Sequence, residues 1–495
     1  MNQWKNQLYY GDNLQILREY IPDQSIDLIY LDPPFNSNRN YNVLFKEENS
    51  TDSEAQITAF EDTWHWDQKA SEIYRELITD TPEQISGMIG ALKDFIGENQ
   101  MMAYLVMMTA RLIELHLVLK PTGSLYLHCD PTASHYLKIV LDAVFGGQYF
   151  RNEIIWHYRK WSVRQQQFVR NHDIVFFYSK SDSNERVFNQ LLMERAASTL
   201  KRFGKSKIVS GHDQKGKRLP SKTENIESEG VALDDVWDIG RVPPVKQFYP
   251  TQKPLELLER IISASSNEGD LVLDPFCGCG TTVHAAEKLG RRWIGIDITH
   301  LSTSLSKYRL KDAFDLIEGK GYDVIGEPQD TAAARQLAQE DRYQFQWWSL
   351  SLIQAKPVGG QKGSKKGEKG KDRGIDGVIT LMDDPYGKPK RILVQVKSGK
   401  VGVKDIRDLV GTVEREKAAI GVFVTLGKPT RDMKREAVSA GIYHSPGWNR
   451  DYPKIQILTT EQLLNREEIQ MPPVRATFKK AKREAKREEV QEKLC

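Results

Sequence analysis

Cysteine is scarce: there are four in 495 residues. Two of them lie inside a glycine-rich loop, at a spacing that offers neither a disulfide framework nor a zinc site. A basic-plus-apolar leader is also lacking, as is any uncharged apolar run long enough to cross a bilayer. The nearest candidate, MMAYLVMMTARLIELHLVL (101–119), carries Arg111, Glu114 and His116, which suits a buried helix rather than a span. A cytoplasmic, reduced protein with no membrane partner is the expectation. Charge of one sign is in short supply as well. With a net charge of +3, any surface for a polyanion has to be a local patch. What remains describes a globular chain, 39% hydrophobic and 28% charged, long enough for about three domains.

Residues 1–150 alternate short apolar strands (IDLIYL, GSLYLHC) with amphipathic helices over about 84–119 and 132–145, an α/β pattern. Residues 159–222 break the rhythm, with 15 Lys and Arg against 5 Asp and Glu. Interleaved Trp161, Phe168, Phe176, Phe177 and Tyr178 give that stretch the look of a nucleic-acid surface. The α/β rhythm returns with LELLERIISAS, DLVLDPF and RRWIGIDI. Residues 319–338 read as a linker before a second α/β unit, 339–465. Its strands are expected near 375–381, 391–397 and 419–425, and a helix near 429–440. A flexible Gly/Lys loop, 359–373, and a charged tail, 466–495, expected as a solvated helix or a disordered end, complete the chain.

Two segments carry chemistry. In LDPPF (31–35) a buried strand ends on an acid and two prolines. The prolines restrict their own φ angles and hold the residue before them out of the helical region. Asp32, Pro33, Pro34 and Phe35 are thus presented stiffly at a strand end, where open α/β sheets keep their sites. In DPFCGCGTT (274–282) a strand opens into a helix through Phe276, Gly278 and Gly280. Neither GxGxxG nor GxxxxGK[ST] is present. Glycines at alternate positions admit a ligand close to the backbone, and Asp274 suits an ammonium or amide better than a phosphate. One strand later Asp297 stands where a carboxylate can take two ribose hydroxyls. An uncharged glycine turn plus a ribose acid suits S-adenosylmethionine.

On these residues the chain resembles the DNA amino-methyltransferases, which methylate an exocyclic base nitrogen. DPPF resembles their catalytic D/N/S-P-P-Y/F/W motif and FCGCG their F-x-G-x-G cofactor motif. TQKP (251–254), with Lys253, resembles an additional cofactor-side motif, and Gly11-Asp12-Asn13 the short motif upstream of the catalytic one. Catalytic motif first, basic insert second and cofactor motif last is the permuted order of the beta group. The resemblance covers about residues 6–310. It implies a permuted Rossmann-like α/β methyltransferase domain over 1–318, with 159–222 an inserted target-recognition region acting on double-stranded DNA. Asp12, Lys253, Asp274, Phe276, Gly278, Gly280 and Asp297 would be cofactor-binding.

In that setting Asp32 and the Pro33 carbonyl accept the two amino hydrogens of an extruded base, and Phe35 offers a stacking face. Residues 36–45 would form a flap, with Tyr41 a second stacking partner. An acid at the first motif position goes in the family with N6-adenine more than N4-cytosine. Arg164, Gln165, Gln166 and Arg170 are the expected sequence-reading side chains.

GIDGVI (374–379), ILVQVKSG (392–399) and GVFVTLGKPTRDMKREAVSAGI (421–442) resemble the PD-(D/E)xK nuclease fold in its Mrr-type branch. Residues two apart in a strand share a face, so Gln395 and Lys397 point together toward Asp376. The resemblance implies Mg²⁺ on Asp376 and Gln395, with Lys397 acting on the attacking water. Gln395 stands where the wider family has an acid, which weakens the expected metal affinity and leaves a DNA-binding module as the alternative. Glu340 and Asp341 are further candidate acids, or ordinary helix-start charges. A homodimer is left open.

Overall fold

The computed structural model describes residues 5–34, 40–46, 52–61, 65–159, 166–195, 197–209, 221–227, 230–243, 247, 252–358, 374–381, 383, 389–473 and 482–484; for the strands within 40–61, the backbone alone. Its centre is a nine-stranded sheet. In chain order the strands are β1 (Asn6–Tyr10), β2 (Ile26–Leu31), β3 (Leu119–Cys129), β4 (Phe150–His157), β5 (His172–Ser179), β6 (Val236–Asp238), β7 (Leu271–Asp274), β8 (Arg292–Asp297) and β9 (Tyr322–Ile325). Across the sheet they run β6-β4-β5-β3-β2-β7-β8-β1-β9. All run in one direction except β5, which is antiparallel to both neighbours.

The central strands read as unbroken apolar runs because both faces are covered. In β2, Ile29 and Leu31 enter one core while Leu28 and Tyr30 enter the other; in β7, Leu271 and Leu273 face one way and Val272 the other. Helices Gln68–Asp80, Glu83–Ile96, Gln100–Val118 and Ser134–Leu141 build the first layer; Leu255–Ser265, Thr281–Lys288 and His300–Phe314 build the second. The continuous helix expected over 84–119 is two, separated at Gly97, whose positive φ (72°) ends the first, and Asn99, which caps the second. Gln100–Val118 is buried on nearly every side, which explains its apolar composition without a bilayer.

Three expectations are corrected. Phe176, Phe177 and Tyr178 do not face DNA: they lie in β5 with exposures of 3% or less, so the insert is split by a core strand. The supposed linker is structured. Tyr322–Ile325 is the edge strand β9, paired with β1, and Thr331–Glu340 is a helix capped by Asp330. The charged tail is not wholly solvated either, because Glu484 donates its backbone N–H to Ala313 and meets His284. The Gly/Lys loop 359–373 lies outside the described residues.

The second unit is a five-stranded sheet ordered Lys356–Pro357, Gly377–Leu381, Lys390–Lys397, Ile420–Thr425, Ile455–Thr459. The first three strands pair antiparallel and the last three parallel. Arg342–Leu352 covers one face; Val403–Arg415 and Arg431–Ser439 cover the other. The same Arg342–Leu352 helix docks on the first domain, where Tyr308 donates its hydroxyl to the Ser351 carbonyl (3.1 Å).

Candidate active site

Because eight strands share one direction, their carboxyl ends form one edge, and that edge is acidic. Asp12 follows β1, Asp32 follows β2, Asp130 follows β3, and Asp274 and Asp297 end β7 and β8. Asp173 joins them from the start of the antiparallel β5. Carboxylates this close need cations or protons, and the structure supplies both.

Asp12 caps the helix Asn13–Tyr20 through the Leu14 N–H and pairs with Arg111 (2.8 Å) and Lys69 (2.9 Å). Burial pushes its carboxyl up, but Arg111 and Lys69 outweigh burial and hold it below the ordinary range. The buried Arg111 also donates to the Asn13 side chain (2.6 Å), whose amide donates to the Pro275 carbonyl (2.7 Å). A single cation in an apolar helix thus ties Gly11-Asp12-Asn13 to Asp274-Pro275-Phe276. Sequence reasoning used Arg111 only to reject a membrane span; its second signal was a lone arginine in the middle of an apolar run.

The glycine loop divides its two glycines by role. Both have positive φ (53° at Gly278, 73° at Gly280), which side-chain-bearing residues rarely adopt. A Cβ at Gly280 would come within 2.7 Å of Ser306 Oγ and 3.3 Å of its Cα, so Gly280 allows the helix His300–Phe314 to pack close. A Cβ at Gly278 would have only the Phe276 carbonyl at 4.0 Å: the space above it is open. Asp297 braces this loop, accepting the Gly278 N–H (2.9 Å) on one oxygen and the Thr299 N–H and hydroxyl (2.9 and 3.0 Å) on the other. Ser302 adds a further side-chain hydrogen bond to this carboxylate. Asp274 is buried and accepts the Phe276 N–H (3.0 Å). Burial pushes its carboxyl up to about 7 against the hydrogen bonds from Thr282 and Phe276, and the nearby Asp32 and Asp297 charges add to the rise. The open cradle over Gly278, flanked by the Asp274 and Asp297 carboxyl groups, fits a cationic nucleoside such as S-adenosylmethionine.

Asp32 lies on the neighbouring strand. Its Oδ2 takes the Lys253 ammonium, so Lys253 meets the candidate catalytic acid. Its Oδ1 is buried and has no hydrogen-bond partner. Behind it His128, fully buried, lies 2.9 Å from the Tyr30 hydroxyl, 3.3 Å from Asp173 and 3.9 Å from Asp32 Oδ1. Tyr158 donates its hydroxyl to Asp173 (3.0 Å). None of Tyr30, His128, Tyr158 and Asp173 stood out in the sequence, although LYLHCD placed His128 and Asp130 at a strand end. Pro33 is buried and Pro34 half-buried; Phe35 and the side chain of Tyr41 lie outside the described residues. So do Trp161, Arg164 and Gln165, whereas Gln166, Phe168 and Arg170 are exposed.

The insert proper leaves the sheet after β5 and returns before β6. Leu192–Met193 pairs with Val231–Ala232 at its root, and Ser206–Val209 pairs with Lys222–Glu227 farther out. Lys201, Arg202 and Lys207 are exposed on it.

In the second unit the pairing of Gly377 with Val394 sets Asp376 beside Gln395, so the expected trio does share a place. Its chemistry is weaker. Asp376 Oδ2 accepts the Val396 N–H (2.7 Å), Gln395 is buried with Oε1 unpartnered, and Lys397 makes no ion pair among the described residues. Asp341 caps its helix, and Glu340 accepts from Gln336; both are helix-terminus charges. Among the described residues no three acidic, histidine or cysteine side chains gather for a metal. Mg²⁺ wants an octahedron of oxygens. Among the described residues, one backbone-bonded carboxylate and an amide fall short of that set.

The sequence model of the DNA methylase family matches residues 26–304. That of a family described as NACHT-associated inactive Restriction Endonuclease 1 matches 361–465. The type II methyltransferase M.HpaI of Haemophilus parainfluenzae is 30% identical over 256 residues, 51% of this chain and 71% of that protein. The DNA adenine methyltransferase YhdJ of Escherichia coli (strain K12) is 27% identical over 294 residues, 59% of this chain and 78% of the relative. Among solved structures, the M1.HpyAVI complex with S-adenosylmethionine is 18% identical, with a TM-score of 0.34, covering 61% of this chain and 98% of that one. The PvuII cytosine-N4-specific DNA methyltransferase is 14% identical, with a TM-score of 0.36, covering 65% and 95%.

Proposed function

The chain belongs to the DNA methylase family, and on that premise we propose that it methylates the N6 amino group of an adenine extruded from double-stranded DNA. The observation that carries this reading is the asymmetry of Asp32, with one oxygen on Lys253 and the other buried without a donor. A buried unpaired carboxylate oxygen is costly, and an exocyclic amino hydrogen is the donor it lacks. Accepting that hydrogen draws the nitrogen toward tetrahedral geometry and frees its lone pair. Lys253 fixes the carboxylate so that only Oδ1 faces the base. S-adenosylmethionine, held by the Gly278 cradle, Asp274 and Asp297, supplies the methyl group as an electrophile, and the methylated nitrogen is left with one proton to shed. Orientation and hydrogen bonding by the chain carry the rest.

The acid at position 32 favours adenine, and a relative named as a DNA adenine methyltransferase supports the choice. The exposed Lys201, Arg202 and Lys207 make the insert the phosphate-binding surface of this reading. The second unit reads best as a DNA-binding module without hydrolytic activity, since its donor set does not fit Mg²⁺ and its sequence is similar to an inactive endonuclease family. Sequencing of single DNA molecules from a methylation-free host tests the whole. N6-methyladenine in one fixed context with the wild-type chain and none with Asp32→Ala is the expected result. N4-methylcytosine would overturn the base assignment, and no methylation the function itself.

A further inference from the structure

A methylated amino nitrogen must lose a proton, and Asp32 is a poor place for that proton to stay. Asp32 already holds an ammonium on Oδ2, and it must be a carboxylate again before the next base arrives. Among the described residues, the imidazole beside its Oδ1 is that of His128. Its hydrogen bonds assign its tautomer. Asp173 can only accept, so Nε2 carries the hydrogen toward Asp173 Oδ2 (3.3 Å). Nδ1 is then a lone pair, into which Tyr30 donates its hydroxyl (2.9 Å). That lone pair lies 3.9 Å from Asp32 Oδ1, the oxygen with no partner. Trp156 stands perpendicular to the ring (5.4 Å between centroids), and the imidazole is fully buried beside the two carboxylates.

Resting on the methyltransferase reading above, we propose that His128, oriented by Asp173, receives the proton that Asp32 takes from the amino nitrogen. The nitrogen–hydrogen bond breaks as Asp32 Oδ1 gains the hydrogen. That bond breaks in turn as His128 Nδ1 gains it, with the Tyr30 hydroxyl turning aside. Asp32 returns to carboxylate, and the imidazolium is stabilised by Asp32 on one side and Asp173 on the other. Asp173 is suited to this: burial pushes its carboxyl up, yet His128, Lys253 and Tyr158 outweigh burial and keep it below the ordinary range. His128 and Asp173 are positioning residues, since they act through Asp32. Among the described residues, Tyr30, Asp32 and Asp173 face His128, with Lys253 and Tyr158 behind the two carboxylates.

Two measurements test the relay. Nitrogen NMR of ¹⁵N-histidine-labelled wild-type protein reads the tautomer without any turnover. Nε2–H at pH 8, lost or exchanged in Asp173→Asn, is expected; Nδ1–H in the wild type overturns the relay. Single-turnover methylation against pH then compares wild type with His128→Asn and His128→Gln. A rate loss on the order of 10²-fold is expected, with cofactor and oligonucleotide affinities within about twofold. The shape of the wild-type pH profile should change in both variants. Variants that keep the wild-type profile, or lose rate equally at every pH, overturn the proposal while leaving the methyltransferase reading intact. A wild-type chain that transfers no methyl group overturns both.

Discussion

Both candidate sites combine an acid and a lysine, Asp32 with Lys253 and Asp376 with Lys397, and the two differ in what surrounds them. At the first, Asp32 and Lys253 are joined, and the remaining carboxylate oxygen is buried and unpartnered above a His128–Asp173 pair. At the second, Asp376 gives an oxygen to a backbone N–H, Gln395 replaces an acid, and Lys397 is without an ion pair among the described residues. The first site keeps an unmet hydrogen-bonding demand that a substrate can satisfy. In the second, part of that demand has been met by the fold. An acid and a lysine are therefore not a site until the bonds they have already made are known.

The sharpest way to break this comparison is to remove each acid in turn. Asp32→Ala is expected to lower single-turnover methyl transfer on the order of 10³-fold with S-adenosylmethionine affinity nearly unchanged by calorimetry. Asp376→Ala should leave methylation as it was, and neither chain should nick plasmid in Mg²⁺ or Mn²⁺. Metal-dependent nicking lost with Asp376→Ala would restore the nuclease reading.

The insert offers the next largest effect. Met193 and Val231 are ladder partners, so a short turn can replace 194–230 without opening the sheet. DNA affinity should fall at least about tenfold and its salt dependence flatten, while cofactor binding persists. Removing 160–220 instead would excise β5 and is expected to abolish folding, as circular dichroism would report.

The two loop glycines sharpen the first region from within. Gly280→Ala should cost about 1–3 kcal/mol of stability because its Cβ meets Ser306. Gly278→Ala should cost only about 1 kcal/mol, for its left-handed backbone, but weaken cofactor binding roughly tenfold by filling the open cradle. Denaturant melts and calorimetry on both variants separate the two effects; equal losses of affinity would remove the distinction.

The smallest expected effect is a pH slope. The Asp274 carboxyl is raised to about 7 from 3.8, so the folded chain holds that proton more tightly than the unfolded one. Its contribution is fully present below the unfolded value and is lost as pH rises through about 7. Asp274→Asn should therefore flatten the decline in urea midpoint between about pH 5 and 7.5. An unchanged slope would mean that Asp274 is ionised throughout.

Much of the fold was legible because burial on both faces writes itself as apolar runs, as in IDLIYL and LVLD, and because DPPF and FCGCG mark strand ends by backbone chemistry alone. The same rule misled at HDIVFFYS, where a core strand within a basic stretch looked like a DNA-facing aromatic patch. Three strands of the second unit were legible for the same reason as those of the first, while Lys356–Pro357 and Ile455–Thr459 were not expected; nor was β9, since YDVI is too short to stand out from a linker.

What the sequence determined by itself was the set of stiff or permissive backbone points: the Asp-Pro-Pro strand end, and glycines where φ must be positive. Those depend on neighbours one or two residues away. Only the tertiary structure decided which charges meet. Lys253 reaches Asp32 across 221 positions, Arg111 reaches Asp12 across 99, and His128 finds Asp173 across 45. Coulomb and hydrogen-bond energies depend on distance in space and on burial, and neither is written in sequence spacing.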